Sequence, residues 1–155
     1  ESLMPNWCYN RIRIDADSDQ VEQLKEIHDI FDKHTDPFNQ ILPIPDFKNI
    51  PNEKGELPKL EQHKNDKGDV VWETFNFPDG TNDDRWYHWC IENWGTKWEP
   101  DMHDIDYEDS EILALTFNTA WSPPEGIVEK LRERYPELSF QCFYDEPGME
   151  SAGYY

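Results

Sequence analysis

The residues best suited to chemistry are six carboxylates within residues 101–111, a segment without Lys or Arg: Asp101, Asp104, Asp106, Glu108, Asp109 and Glu111. In an extended strand alternate residues face the same side, so Asp104, Asp106 and Glu108 would form a row with a pitch of about 6.6 Å. This pitch is similar to the charge spacing along a nucleic-acid strand, so the row could occupy the nucleic-acid channel of a basic protein. The alternative is a solvated face that protects an edge strand from aggregation. Divalent-metal binding is disfavoured because no EF-hand spacing occurs.

The histidines and cysteines form no recognisable catalytic or metal-binding motif. No HExxH, GxSxG, P-loop or GxGxxG pattern occurs. Cys8, Cys90 and Cys142 lack CxxC spacing and have apolar or aromatic neighbours, which predicts reduced thiols in the core of a cytosolic protein. We therefore predict no catalytic residue, no metal and no cofactor, and a binding protein is favoured over an enzyme.

The charge of the chain restricts its partners. Its 155 residues include 34 Asp or Glu and 14 Lys or Arg, which gives a net charge of −20. Such a charge repels nucleic acid and anionic membranes, so we expect a protein partner with a basic surface and no direct binding to nucleic acid or membrane. The sequence has no signal-peptide or membrane-spanning pattern, which predicts a location in the cytoplasm. The sequence leaves the oligomeric state open.

Several tryptophans occur at positions where turns are expected. Trp94 and Trp98 flank a Gly, and Trp121 precedes two prolines. These three residues either seal the ends of the core or form an exposed aromatic anchor at a partner interface, and the core role is favoured for most of them. Lys97 is expected to pack on a neighbouring ring.

The N-terminal segment reads as a strand followed by a helix. Residues 7–15 alternate between apolar and polar side chains, as in a half-buried strand. Asp17 and Gln20 resemble a capping box, and apolar residues at helical spacing follow to about Lys33.

Residues 46–82 read as an insertion. The stretch 46–69 is polar, rich in Lys, Asn, Glu and Pro, and has no hydrophobic period, which predicts a long, partly mobile loop. Residues 70–77 are expected to form a short strand or hairpin arm.

The C-terminal half reads as a helix, a hairpin, a second long helix and a last strand. Asp83 or Asp84 would cap the first helix, which runs to about Asn93, and residues 102–108 and 111–121 would pair across a tight turn. A capping box of Ser122 and Glu125 then begins a helix that Pro136 ends, and residues 138–144 alternate in the last strand.

Without the insertion and its extra helix, the element order is strand, helix, strand, strand, helix, strand. This order predicts an α+β, ferredoxin-like split βαβ fold in which both long helices cover one sheet face. We expect a single domain over residues 4–155, with residues 1–3 a cloning remnant. The predicted core comprises Ile12, Leu24, Leu115, Phe117, Leu131 and Phe140.

The sheet face without helices is a second candidate site. The alternation points Tyr9, Arg11, Arg13 and Phe143 away from the helices, where RNA-recognition domains of this fold place stacking aromatics. The RNP-type sequence is absent and the net charge is unfavourable, so the arginines are expected to pair with carboxylates instead.

Four motifs resemble a known family: MPNWC at 4–8, NWGTKW at 93–98, TAWSPP at 119–124 and YDEPG at 144–148. Together they are similar to the YubB-like family of phage and conjugative-plasmid proteins. The resemblance implies a ferredoxin-like domain carried by a mobile genetic element and implies no particular activity.

Two hypotheses follow from the sequence. The first is a non-enzymatic acidic binding protein, an inhibitor or nucleic-acid mimic that acts on a basic host or defence protein. The second is a nucleic-acid binder or small hydrolase that uses the open sheet face. Fold alone cannot choose between them, because ferredoxin-like domains serve many functions.

Overall fold

A computed structural model describes residues 5–155. The expectation for residues 1–3 lies outside this part of the chain. In chain order the elements are β1 (Trp7–Asp15), α1 (Val21–Lys33), α2 (Pro37–Ile41), β2 (Lys59–Lys64), β3 (Val70–Asn76), α3 (Arg85–Asn93), β4 (Asp101–Asp109), β5 (Ile112–Ala120), α4 (Glu125–Arg134), β6 (Ser139–Glu146) and β7 (Ser151–Tyr154).

The chain divides into two compact units. The first comprises the residues up to Pro43 together with Cys90–Tyr155, and the second is Ile44–Trp89. The second unit contains the predicted insertion, 46–82. The expectation of a single domain stays a prediction.

The first unit is built on a five-stranded antiparallel sheet with the order β4-β5-β1-β6-β7. The central strand is β1, whose Ile12 lies opposite Leu115 of β5 and Cys142 of β6. Apart from β7, the strands of this sheet and the helices α1 and α4 follow the split βαβ order. The predicted α+β, ferredoxin-like fold is therefore confirmed.

Both long helices lie on one face of this sheet. From α1, Phe31 stacks on Phe117 with 6.0 Å between ring centroids. From α4, Arg132 Nη2 lies 4.0 Å from Cys142 Sγ. The strand registers put Phe117 and Cys142 on the same face, so the opposite face has neither helix on it.

The core fills the space between the helices and the sheet. All six predicted core residues are buried, which confirms the assignment: Ile12, Leu24, Leu115, Phe117, Leu131 and Phe140. Burying each Leu or Phe side chain stabilises the fold by roughly 1.5–3 kcal/mol. The alternation of the strands is thus the main determinant of which face is buried.

The strand β7 was missed by the sequence reading, which ended the sheet at β6. It pairs antiparallel with β6, from Phe143 opposite Tyr154 to Glu146 opposite Ser151. The strand has only four residues, and two of them are Gly and Ala, so the sequence shows no clear hydrophobic period there. A partly buried side chain follows the strand, and its hydroxyl, Tyr155 Oη, donates to Asn10 Oδ1 at 2.8 Å.

The second unit contains a two-stranded antiparallel sheet of β2 and β3. The expected β3 is present, but β2 contradicts the prediction that 46–69 is a structureless loop. Most residues of both strands are exposed, so neither strand has a buried face that would impose a hydrophobic period. Near this sheet Arg85 Nη2 donates to Phe47 O at 2.8 Å, and Arg85 Nε lies 2.8 Å from Asp83 Oδ1.

Both predicted capping boxes are wrong. Helix α1 begins at Val21 after Gln20, with no side-chain cap, because the Gln20 N–H bonds to Asp17 O in a preceding turn. Helix α4 begins at Glu125 after Pro124, and the Ser122 hydroxyl instead donates to Gly95 O. In each case the helix begins later than expected, so the candidate side chain lies before the N-cap residue.

Candidate functional site

The edge strand β4 presents the predicted carboxylates on the open face of the sheet. Asp104 and Asp106 lie opposite Thr116 and Ala114, whereas the intervening Ile105 lies opposite the buried Leu115. Asp101 lies opposite Asn118 on the same open face. Within residues 5–155, none of these three aspartates has a hydrogen-bond or ion-pair partner.

The other three predicted residues lie at or just after the end of β4, and two of them use their carboxylates in local contacts. The register of β4 and β5 shifts between Tyr107 and Asp109, and Glu108 pairs with Arg13 Nη1 at 3.6 Å. Asp109 Oδ1 accepts the Glu111 N–H at 2.8 Å, so these two residues shape the turn. Glu108 and Asp109 therefore have local partners, whereas the carboxylates of Asp101, Asp104, Asp106 and Glu111 have none within residues 5–155.

The central strand β1 presents the alternative site on the same open face. Arg11 lies opposite Phe143 of β6, and its Cζ is 5.9 Å from the centroid of that ring. Tyr9 is 50% exposed. The sequence missed Tyr154, which is 79% exposed and packs on Phe143 with 5.2 Å between centroids, because β7 was not foreseen.

The two candidate sites flank a strip of small side chains that we call the β5 trough. Its floor consists of Ala114, Thr116 and Asn118 of β5, with β4 on one side and β1 on the other. A cavity of about 440 Å³ lies at the end of the trough around Thr116 and Asn118 and extends over β1. Its walls include His103 and Asp104 from β4 and Tyr9 and Arg11 from β1.

The three tryptophans of the motifs have different environments. Trp94 is buried and its Nε1–H donates to Leu42 O at 2.9 Å, which is the core role expected for it. Trp98 is 36% exposed and lies 4.2 Å from Lys97 Nζ, so the expected ring contact of Lys97 is present. Trp121 is 47% exposed and has a left-handed backbone with φ of 68°.

The three cysteines are free and buried. Burial raises the pKa of the Cys8, Cys90 and Cys142 thiols to about 11. A thiol of that pKa is almost wholly protonated near neutral pH and is a poor nucleophile. Catalysis through these cysteines is therefore disfavoured.

One titratable residue that the sequence did not reveal is Glu99. Its carboxylate accepts the backbone N–H groups of Phe38 at 2.7 Å and Asn39 at 3.0 Å, in the first turn of α2. Burial raises the Glu99 pKa to about 7, although both hydrogen bonds oppose the shift. No sequence pattern links a residue after a turn to a helix some 60 positions earlier.

Across residues 5–155, no group of three or more His, Cys, Asp or Glu residues is arranged to hold a metal ion. No helix in this range is long and apolar enough to cross a membrane.

The fold and the site together define an α+β protein of ferredoxin-like fold with an accessible open sheet face. A family model described as a ferredoxin-like domain in Api92-like protein matches residues 91–155, which include β4 to β7. No curated protein and no solved structure matches the chain. The YubB-like resemblance and the mobile-element origin stay predictions.

Proposed function

We propose that this protein is a non-enzymatic binding protein of a mobile genetic element that receives a basic protein surface on its open sheet face. Its specific role would be to inhibit a nucleic-acid-binding host or defence protein in the bacterial cytoplasm. The observation that carries the proposal is the set of three exposed aspartates without partners, Asp101, Asp104 and Asp106, on one sheet face.

Charge supports this role in two ways. Neighbouring carboxylates repel each other, and a cationic partner relieves that repulsion more than solvent does. The net charge of −20 also attracts a basic protein at long range, which mainly increases the association rate.

The test begins with capture of host proteins at low and high salt, followed by measurement of association rates for the captured basic protein. The variant D101N/D104N/D106N leaves the Arg13–Glu108 ion pair intact. A matched control, D17N/D19N/D32N, removes the same charge from exposed residues elsewhere. We expect the β4 variant to associate about tenfold more slowly, and the control to change much less. Equal rates for the two variants would contradict a role for β4.

The second candidate function is nucleic-acid binding through the open sheet face. It is favoured by the exposed rings of Tyr9 and Tyr154 beside Arg11, since rings and guanidinium groups stack on unpaired bases. Fluorescence anisotropy with a labelled single-stranded RNA tests it. Binding that disappears in R11A would replace the acidic-surface proposal with this alternative.

A further inference from the structure

The β5 trough has two ends with the same kind of walls. At each end a carboxylate of β4 faces an arginine of β1 across a small residue of β5. Adjacent strands lie about 4.8 Å apart, so the two walls are separated by about 10 Å. A guanidinium group can bridge this distance from its own strand.

At the Ala114 end the chain's own arginine pairs with Glu108 and not with Asp106, the carboxylate that lies across Ala114 from it. Arg13 extends from β1 across β5 and places Nη1 3.6 Å from Glu108. The same guanidinium pairs with Asp15 at 3.2 Å. The carboxylate wall at this end is therefore already neutralised in part.

At the Thr116 end the equivalent arginine is Arg11, and its side chain does not extend across β5. The Arg11 guanidinium rests over the Phe143 ring of β6, on the side of β1 away from β4. Asp104 is left exposed beside the cavity of about 440 Å³. A second polar group also faces this cavity, since Asn118 is only 8% exposed and its amide has no hydrogen-bond partner within residues 5–155.

We propose that the Thr116 end of the β5 trough binds an arginine side chain supplied by the protein partner. The incoming guanidinium pairs with Asp104, as the Arg13 guanidinium pairs with Glu108 on the same strand. It donates to the Asp104 carboxylate and to Asn118 Oδ1, and its face lies against the Tyr9 ring. This assignment rests on the proposed function and names the side chain that its acidic surface recognises.

The chemistry of the site favours arginine over lysine. A guanidinium has a planar set of donors that reaches two acceptors at once, and its flat face stacks on an aromatic ring. A lysine ammonium offers a point charge with stronger hydration and no flat face. A lysine would therefore use the carboxylate without using Tyr9 and Asn118.

The probe for this site is a blocked tripeptide, Gly-Arg-Gly, titrated into ¹⁵N-labelled protein and followed by amide chemical shifts at low salt. The matched control peptide replaces arginine by citrulline, which keeps the shape and removes the charge. We expect shifts centred on Thr116, Asn118 and Tyr9 with the arginine peptide only. Shifts spread over acidic residues of α4, such as Glu129 and Glu133, would overturn the proposal.

Three variants give effects of different sign. D104N should weaken peptide binding about threefold, as expected for loss of one exposed ion pair. R11A should strengthen binding, because it removes a like charge from the wall of the cavity. F143L should weaken binding in the wild-type background, because it frees Arg11 to pair with Asp104, and should have no effect in the R11A background.

The outcomes separate this inference from the proposed function. If D101N/D104N/D106N slows capture of the basic protein but R11A weakens binding of the tripeptide, the proposed function of the acidic surface is retained and the arginine site is wrong. If the tripeptide behaves as expected while capture of the basic protein is unchanged by the triple variant, the arginine site stands and the proposed function is wrong.

Discussion

At the scale of single residues, Glu99 links stability to pH. Its carboxylate holds the first turn of α2, and α2 places Phe38 against Trp94 with 5.6 Å between ring centroids. The pKa of Glu99 is about 7 in the folded protein against an ordinary value of 4.5. The folded state therefore holds the Glu99 proton more tightly than the unfolded state does.

The sign of the pH effect follows from this raised pKa. The contribution of Glu99 to stability is fully present below about pH 4.5 and is lost as the pH rises through about 7. The loss has an upper bound of about 3 kcal/mol. We expect urea unfolding, followed by tryptophan fluorescence, to show a smaller drop in stability between acidic and mildly basic pH in E99Q than in the wild type. The same drop in both proteins would contradict this role.

The tryptophans of the motifs differ in burial, since Trp94 lies in the core and Trp121 is half-exposed. Replacing Trp94 by Phe removes volume from the core and leaves the Leu42 carbonyl without its indole donor. We expect W94F to lower the free energy of unfolding by about 2 kcal/mol or more. The control is W121F, at a half-exposed ring, which should cost less than about 1 kcal/mol. Equal losses measured by urea unfolding would contradict the assignment of Trp94 to the core.

At the scale of elements, β7 is fastened by the residue that follows it. Tyr155 donates its hydroxyl to Asn10 on the central strand, and Arg132 of α4 donates to the Tyr155 carbonyl at 3.0 Å. Burial raises the Tyr155 pKa, so the hydroxyl keeps its proton at any ordinary pH. The strand is thereby connected to both the sheet and a helix.

The variant Y155F tests this connection. It leaves the Asn10 Oδ1 acceptor without its donor, which should cost about 1–2 kcal/mol. The matched control is Y154F, because Tyr154 is largely exposed and its hydroxyl has no partner within residues 5–155. Hydrogen exchange should speed up in β7 and the paired part of β6 in Y155F alone. Unchanged exchange in β7 would show that other contacts hold the strand.

The elements that could be predicted are those with one buried and one exposed face. β1 alternates throughout, and β5 and β6 alternate over their first halves, because the helices cover only one side of the sheet. β2 lacks any buried face, and β7 is too short for a period to be visible. The caps failed for a different reason, since the Asp17 carbonyl closes a turn before α1 and the Ser122 hydroxyl donates to Gly95 O.

The candidate site was predictable in its residues and not in its arrangement. The carboxylates of β4 and the open-face residues of β1 each follow from local alternation. Their position on either side of β5 depends on the pairing of strands more than 100 positions apart, such as Arg11 with Thr116. Asn118 was missed because a single polar residue in a strand carries no signal of what it faces.

At the scale of the whole molecule, the net charge of −20 opposes compaction through self-repulsion. Added salt screens this repulsion, and the Debye length falls to about 10 Å at 0.1 M. We expect the melting temperature to rise as sodium chloride is added from low ionic strength, with most of the gain reached by about that concentration. An uncharged osmolyte at equal osmolarity serves as the control. A melting temperature that stays constant or falls with salt would contradict the expectation.

The position of β1 at the centre of its sheet also governs the order of events during synthesis. β1 pairs with β5 and β6, so Arg11 cannot meet its neighbours Thr116 and Phe143 until more than 100 further residues have been made. Contacts at such separation slow folding, because a long loop must close before they form. The second unit, Ile44–Trp89, is contiguous in sequence and has only short loops to close. Its hairpin is therefore expected to form on the ribosome before β5 and β6 are available to pair with β1.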